Sequence, residues 1–475
     1  MMSFTSVRSI CTASLHVLAG PCRVLAWIAA VMLLTTILVP AVTAAETYTL
    51  EEQDGQAFLV SNTVQVKGAL QTSLREGKAA SLPLDVKATL VYYSRMLPPA
   101  GRDARNWRAL RDYRQAESTI KVDDNTTSAR LRESRNLVVA EGQQDGITFY
   151  SPKGAMEHGE WELLRMPGDV LATLPLLPRT AVEIGESWQP DSWVTQCLTG
   201  TEAVLKSDLT CTLDSVSGQV AKVSFKGTLE GAIDGAQTEL ELSGHYLFDL
   251  NRKLIKAVEL TQKEKRSVGA VSPGMDVTAT VKVERQPVSS PDTLADAALA
   301  AIPLDAAAEA MRFEFRSLWN VYFHYDRDWH IFHQSATVAV LRLLDKGSLI
   351  AQCNISPIPP AAPGGHTAED QFQADIRESL GERLVEITKA EQLKTGDDRY
   401  LYRVTAEGRA GKIDMQWIFY LCAAPDGRQV SFVFAVEKGL IEKLDNRDLG
   451  IVSNVQFLTP AAPRPAAATP GSSRQ

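Results

Sequence analysis

Residues 324–333 read His324-Tyr-Asp-Arg-Asp-Trp-His-Ile-Phe-His333, three histidines and two aspartates within ten positions of a chain that holds seven histidines in all. Imidazoles and carboxylates at that density are the raw material of a transition-metal site. Such a site needs three or four donors converging at about 2.0–2.3 Å, with partners behind them to hold the rings. The spacing argues against it. In a strand, His330 and His333 differ by an odd number and face opposite sides of the sheet. His324, across a turn at 326–328, can approach at best one of them. Trp329-His-Ile-Phe-His runs on into Val338-Ala-Val-Leu-Arg-Leu-Leu344, which reads as strand. The stretch is therefore expected to be a β-hairpin with Asp326 to Asp328 as its wet turn and Trp329 as its core anchor, and no metal ligand is assigned.

Other groups capable of chemistry read the same way. Arg102, Arg105, Arg108, Arg111 and Arg114, with Trp107 and Tyr113 between them, suggest an anion-binding patch. Asp103, Asp112 and Glu117 neutralise part of it, however, and the series reads as a solvated connection leading into a strand. The acid pairs Glu160/Glu162 and Asp397/Asp398 are expected in turns or on wet faces, whereas carboxylate catalysis requires one carboxyl with a raised pKa in a cleft. The chain contains no Gly-x-Ser-x-Gly elbow, His-Glu-x-x-His, phosphate loop or Gly-x-Gly-x-x-Gly. No catalytic residue, cofactor or metal is assigned, and the chain is read as not an enzyme.

Beyond residue 45 the cysteines are Cys197, Cys211, Cys353 and Cys422. An even number in an exported chain suggests disulfides, and the spacing favours one bridge in each half, Cys197–Cys211 and Cys353–Cys422. Buried free thiols are the alternative. The second bridge demands that the strands carrying Cys353 and Cys422 approach each other.

Export is read from the N-terminus. The formal charge of the 475 residues is −8, and the first 45 contribute +2 through Arg8 and Arg23, so the remainder carries −10. An acidic surface of that size repels phosphate backbones and makes nucleic acid an unsuitable partner. Residues 24–39 are uncharged and largely apolar, preceded by Arg23 and followed by Pro40-Ala-Val-Thr-Ala-Ala45. That is the plan of a secretory signal ending near Ala44 or Ala45, or of an uncleaved anchor. The expected location is periplasmic or extracellular, with the membrane contacted only through that segment if it is retained.

The elements that must position any site follow from periodicity. Residues 46–288 read as consecutive antiparallel strands, interrupted by one helical element at 160–178 that its own prolines break. Residues 289–310 are a Pro/Ser linker with a short Ala-rich helix. Residues 311–458 mix strands with a helix whose apolar face is Phe372, Ile376 and Leu380, and the Pro/Ala-rich residues 459–475 are expected to be disordered. The turn Tyr325-Asp-Arg-Asp-Trp329, two apolar strands, a helix, three further strands and the closing Val452-Ser-Asn-Val-Gln-Phe457 resemble the Mog1/PsbP-like fold. The whole chain resembles exported planctomycete-type proteins with a β-rich N-terminal domain, a resemblance that brings no catalytic residues. Val182-Glu-Ile-Gly-Glu-Ser-Trp188 is similar to a segment of exported β-rich proteins whose sheets resemble lipoprotein-carrier half-barrels.

The fold class implied is α+β, a curved antiparallel half-barrel-like domain followed by a Mog1/PsbP-like sheet with flanking helices. The function expected is a non-enzymatic envelope protein that binds a partner as an interaction or assembly module. One alternative is a carrier holding a lipid or other apolar ligand between the N-terminal sheet and the 160–178 element. A second is a hydrolase, which would require a concave cluster of Asp, Glu or His.

Overall fold

Strand Ala236–Asp249 shows the rule that builds most of the molecule: Leu240, Leu242, Tyr246 and Phe248 are buried, while Gln237, Glu239 and Glu241 face solvent. Alternation with a period of two puts one face in the core and leaves the other wet. The computed structural model describes residues 46–52, 55–73, 79–97, 106–143, 146–303 and 305–459. Of these, 56% are strand and 17% helix. The class is thus mostly β, which corrects the α+β expectation. The proline-broken 160–178 element yields only brief helices, and among the described residues the longest helix is Glu369–Leu380 at 12 residues. Among the described residues no helix is long and apolar enough to cross a membrane. The residues read as a signal or anchor, and residues 460–475 of the tail, lie outside the described ones.

The first half is a 13-stranded sheet. Its path runs Ser187–Trp188, Thr210–Ser217, Val220–Ile233, Ala236–Asp249, Leu254–Arg266, Gly274–Val288, Ala57–Ser73, Ala79–Met96, Arg108–Val122, Leu137–Gln143, Gly146–Tyr150, and off that path Ala203–Ser207 pairs with Val220–Ile233 and Asn125–Arg130 with Arg108–Val122. The first long strand, Ala57–Ser73, is inserted between Gly274–Val288 and Ala79–Met96 and is antiparallel to both. The outward face carries cross-strand ion pairs such as Lys263–Glu241 and Lys282–Glu259. A face of lysine, glutamate and threonine is suited to water rather than hydrocarbon.

The inner face is filled by the 158–176 segment, here called the plug: helices His158–Leu164 and Val170–Thr173 and a 3-10 turn, Leu174–Leu176. Leu163, Leu164, Val170, Leu171, Leu174 and Leu176 pack in one core with Val60, Phe225, Tyr246, Val281 and Val283. Burial of six such side chains stabilises the plug by on the order of 10 kcal/mol before ordering entropy is subtracted. Contact with the sheet is direct: a Cβ on Gly168 would stand 2.9 Å from the Val281 side chain. The position proposed for an apolar ligand, between sheet and plug, is therefore occupied by the protein's own leucines.

In the second half, seven strands run in the order Trp329–Gln334, Ala339–Asp345, Ser348–Ile358, Gln429–Glu437, Ile413–Ala423, Tyr400–Ala410, Leu384–Gln392. Helix Glu369–Leu380 lays Phe372, Ile376 and Leu380, the face read from the sequence, against Tyr402, Val404, Trp417 and Phe419. A four-stranded sheet joins the halves. Phe313–Arg316 pairs with Val321–Tyr325 on one side, and on the other it runs parallel to Met156–Glu157 from the first half. The linker is docked as well, with Leu294 and Leu299 buried among Leu97, Leu110, Val139 and Tyr150.

Candidate functional site in the cleft between the halves

The histidine-rich stretch is not a hairpin. Val321–Tyr325 belongs to the four-stranded sheet and Trp329–Gln334 to the seven-stranded one, so the turn between them passes the chain from one sheet to the other. Trp329 is fully buried, as expected of a core anchor. A bulge between Ile331 and His333 resets the alternation, so His330 and His333 stand opposite Arg342 and Val340, on one face rather than two. They still do not converge. His324 Nε2 lies 2.8 Å from the Tyr322 hydroxyl, His330 faces Asp234 and His333 is exposed. Among the described residues no group of three or more His, Cys, Asp or Glu is arranged to hold a metal ion.

The expected disulfides are not formed, and Cys197, Cys211, Cys353 and Cys422 are all buried free thiols. Topology separates the second pair. Cys353 stands opposite Phe434 and Cys422 opposite Val430, on either side of strand Gln429–Glu437. That is roughly 10 Å across two strand spacings and about 13 Å along the strand, far beyond the reach of a disulfide. Cys197, on helix Ser192–Thr199, lies beside Asp169 and Arg111, whereas Cys211 lies beside Tyr246. Burial pushes the thiols of Cys211 and Cys422 up to about 12.

Part of the arginine series is core rather than solvated surface. Arg111 is fully buried between the rings of Tyr92 and Phe149 and grips both Asp169 carboxylate oxygens at 2.6 and 2.7 Å. Asp169 in turn accepts the Leu171 N–H and caps the second plug helix, so this pair pins the plug to strand Arg108–Val122. Arg108 is buried too, and donates to the Tyr150 hydroxyl and the Pro303 carbonyl. Arg102 and Arg105 lie outside the described residues.

Glu160, expected on a wet face, is buried in a network that ties the halves together. Arg132 donates through Nε and Nη2 to its two oxygens, each at 2.6 Å, and through Nη1 to Glu314 of the second half. Glu314 also meets Arg135, Arg316 and the Tyr322 hydroxyl. Burial alone would raise Glu314, but the hydrogen bond and charge of Arg132, reinforced by Arg316 and Arg135, hold it below the ordinary carboxylate range.

Beside this network lies a cleft of 540 Å³. The first half supplies Trp161, Arg165, Asp169, Glu202 and Asp234, and the second supplies Arg327, Asp328, His330 and Lys346. Two of the acids are already paired, Asp169 with Arg111 and Asp328 with Arg447 at 2.9 Å. The other two face each other. Asp234, in the turn after strand Val220–Ile233, donates its backbone N–H to Glu202 Oε2 at 2.9 Å. Glu202 is exposed as a residue, yet desolvation where it meets this turn and the charge of Asp234 push its carboxyl up. His330 Nδ1 is 4.0 Å from Asp234, and its ring lies 6.2 Å from that of His158, which burial pushes down.

The cations of the cleft were not recognised from the sequence. Arg165 ends the first plug helix with its guanidinium 4.2 Å from the Trp161 ring centroid. Arg327, assigned to a wet turn, is half-buried over Phe313. It donates to neutral acceptors, Thr148 Oγ1 and the Phe149 and Ala310 carbonyls. Burial, then the charge of Arg165, bring it down to about 10. The one available signal was Tyr-Asp-Arg-Asp-Trp itself, an arginine between aromatics, and period-two reasoning does not apply inside a turn.

No family model matches the chain, and no curated protein does. Among solved structures, a lipovitellin structure titled for lipid–protein interactions aligns at TM-score 0.30 and 9% identity over 51% of this chain and 26% of its own. A BenF-like porin from Pseudomonas fluorescens aligns at 0.13 and 8% over 81% and 98%, and the translocator domain of autotransporter NalP from Neisseria meningitidis at 0.12 and 9% over 82% and 90%. This chain thus spans about a quarter of the lipovitellin. At these scores none of the three bears on fold or function.

Proposed function

We propose that this chain is a non-enzymatic binding module of the cell envelope whose ligand or partner segment lies in the cleft between its two β-rich halves. The observation that carries the reading is the wall of the cleft. Both halves supply charged side chains to it, and its two arginines make no ion pair with a carboxylate among the described residues. Charge left without a partner inside a fold costs free energy unless something binding there offsets it. The envelope assignment rests on the charge and hydropathy pattern of residues 1–45. The test is site-specific photo-crosslinking in the native host, with the crosslinker at Met166 in the cleft and, as control, at Thr280 on the outward face. Adducts unique to position 166 support the reading, and equal labelling at both sites refutes it.

A second reading, the apolar carrier, is favoured by one feature away from the plug. At the far end of the inner face, Leu70, Leu82, Leu84, Val86 and Ile120 share one side of the sheet and are half-buried, and they belong to no core cluster among the described residues. An acyl chain laid along this strip would cover it. Mass spectrometry of the native protein checks this, since a lipid-free preparation that shows no uptake from lipid vesicles rejects the carrier.

A further inference from the structure

From the cleft geometry we infer that the ligand is an oxyanion, a carboxylate or phosphate group received by Arg165 with Arg327 behind it. The inference rests on the cleft being the binding site and adds the chemistry of what enters it. Arg165 lines the cleft with its guanidinium over the Trp161 ring and makes no side-chain hydrogen bond among the described residues, so its donors are uncommitted. A planar fork stacked on an aromatic ring is the arrangement that presents two parallel N–H donors to a carboxylate or phosphate.

Arg327 adds a second positive charge and has its hydrogen-bonding donors set by the neutral acceptors Thr148, Phe149 and Ala310. Its ring neighbours Trp161 and Phe313 exclude water from one side. Two cations gathered in a partly buried space repel each other, and an incoming anion relieves both at once. The acids within the cleft do not fill this role. Asp169 and Asp328 are committed to Arg111 and Arg447, Asp234 stands 4.0 Å from His330, and Glu202, the carboxyl whose charge reaches Arg165, accepts from the Asp234 backbone; neither Asp234 nor Glu202 forms an ion pair with either arginine among the described residues.

The test is isothermal titration of the full chain, at low ionic strength, with inorganic phosphate and separately with succinate. Saturable one-to-one binding of either probe is expected, weakened about tenfold or more in Arg165→Gln through loss of a charge-assisted pair. Arg165 carries the test because its guanidinium makes no structural hydrogen bond, so Arg165→Gln should fold, which circular dichroism checks. Binding of phosphate alone assigns a phosphate-bearing ligand, and binding of succinate alone assigns a carboxylate. No binding of either probe, or binding that Arg165→Gln leaves unchanged, overturns the inference. Crosslinks unique to Met166 alongside such a result would leave the cleft as the site and reject only its oxyanion chemistry.

Discussion

Gly235 and Gly347 touch main chain to main chain across the boundary between the two halves. A Cβ on Gly347 would stand 2.4 Å from the Gly235 Cα, and one on Gly235 would stand 2.2 Å from the Gly347 carbonyl oxygen. Each is the second residue of a two-residue hairpin turn. Asp234 and Lys346 precede them at φ 49° and 48°, and the glycines follow at 75° and 78°. The pairs Ile233–Ala236 and Asp345–Ser348 close the two turns. Positive φ at both positions is the turn that matches the twist of a β-ribbon. Two such tips without side chains can meet at backbone distance, and both line the cleft.

Gly347→Ala is therefore expected to destabilise the protein by roughly 2–4 kcal/mol, combining left-handed backbone strain with overpacking. Lys346→Gly, one residue earlier at the same positive φ, should be neutral or slightly stabilising. Urea unfolding of the two variants separates contact at the glycine from general sensitivity of the turn.

The Arg132 network makes a second prediction. Arg132→Met leaves the buried carboxylates of Glu160 and Glu314 without their main partner, a loss of about 3–5 kcal/mol at neutral pH, at the lower end because 30% of the Arg132 side chain is exposed. Glu314 sits below its ordinary value of 4.5 in the folded protein. A depressed carboxylate stabilises the fold above its unfolded pKa, and that contribution is lost as pH falls through the folded value. The gap between wild type and variant should accordingly narrow as pH falls through the lowered folded value of Glu314. Equal gaps at neutral and acid pH would show that Arg132 acts through packing alone.

Much of this architecture is legible in the sequence because it rests on local periodicity. The alternation in Ala236–Asp249 and the four-residue steps of Phe372, Ile376 and Leu380 name their own buried faces. Strand partners are not local. Nothing in residues 324–333 states that the chain leaves one sheet for another at Arg327, or that strand Gln429–Glu437 comes between Cys353 and Cys422. The cleft is harder still to read. Trp161, Arg165, Glu202, Asp234 and Arg327 come from four separated segments and meet only because the plug fills the sheet and the two glycine turns abut. The α+β expectation failed for a related reason, since alanine-rich and proline-broken runs produced short helices beside very long strands.

The thiols are open to direct measurement. Non-reducing peptide mapping should find Cys197, Cys211, Cys353 and Cys422 free, in keeping with the strand order. In the native state, alkylation at pH about 8 should be slow at every site, because the thiolate is the nucleophile and burial pushes Cys211 and Cys422 up to about 12. Denaturant should release all four to rapid labelling. A Cys353–Cys422 peptide in the map would contradict the sheet order itself.

Glu202 and Asp234 give the last prediction, which also bears on the hydrolytic alternative. Asp234→Asn removes the like charge while keeping a residue that tolerates a left-handed backbone. The Glu202 carboxyl should then titrate lower, which carboxyl carbon NMR of the two proteins reads directly. The sign for stability is opposite to that of Glu314. A carboxyl raised in the folded state stabilises below its unfolded pKa, and that stabilisation is lost as pH rises through the folded value. Asp234→Asn should thus help the fold more at pH 7 than at pH 4, by less than about 1 kcal/mol because Glu202 is exposed. A Glu202 titration unmoved by the substitution would mean that the Asp234 charge does not act on it, and a hydrolase reading built on a carboxyl raised by its neighbour would fail with it.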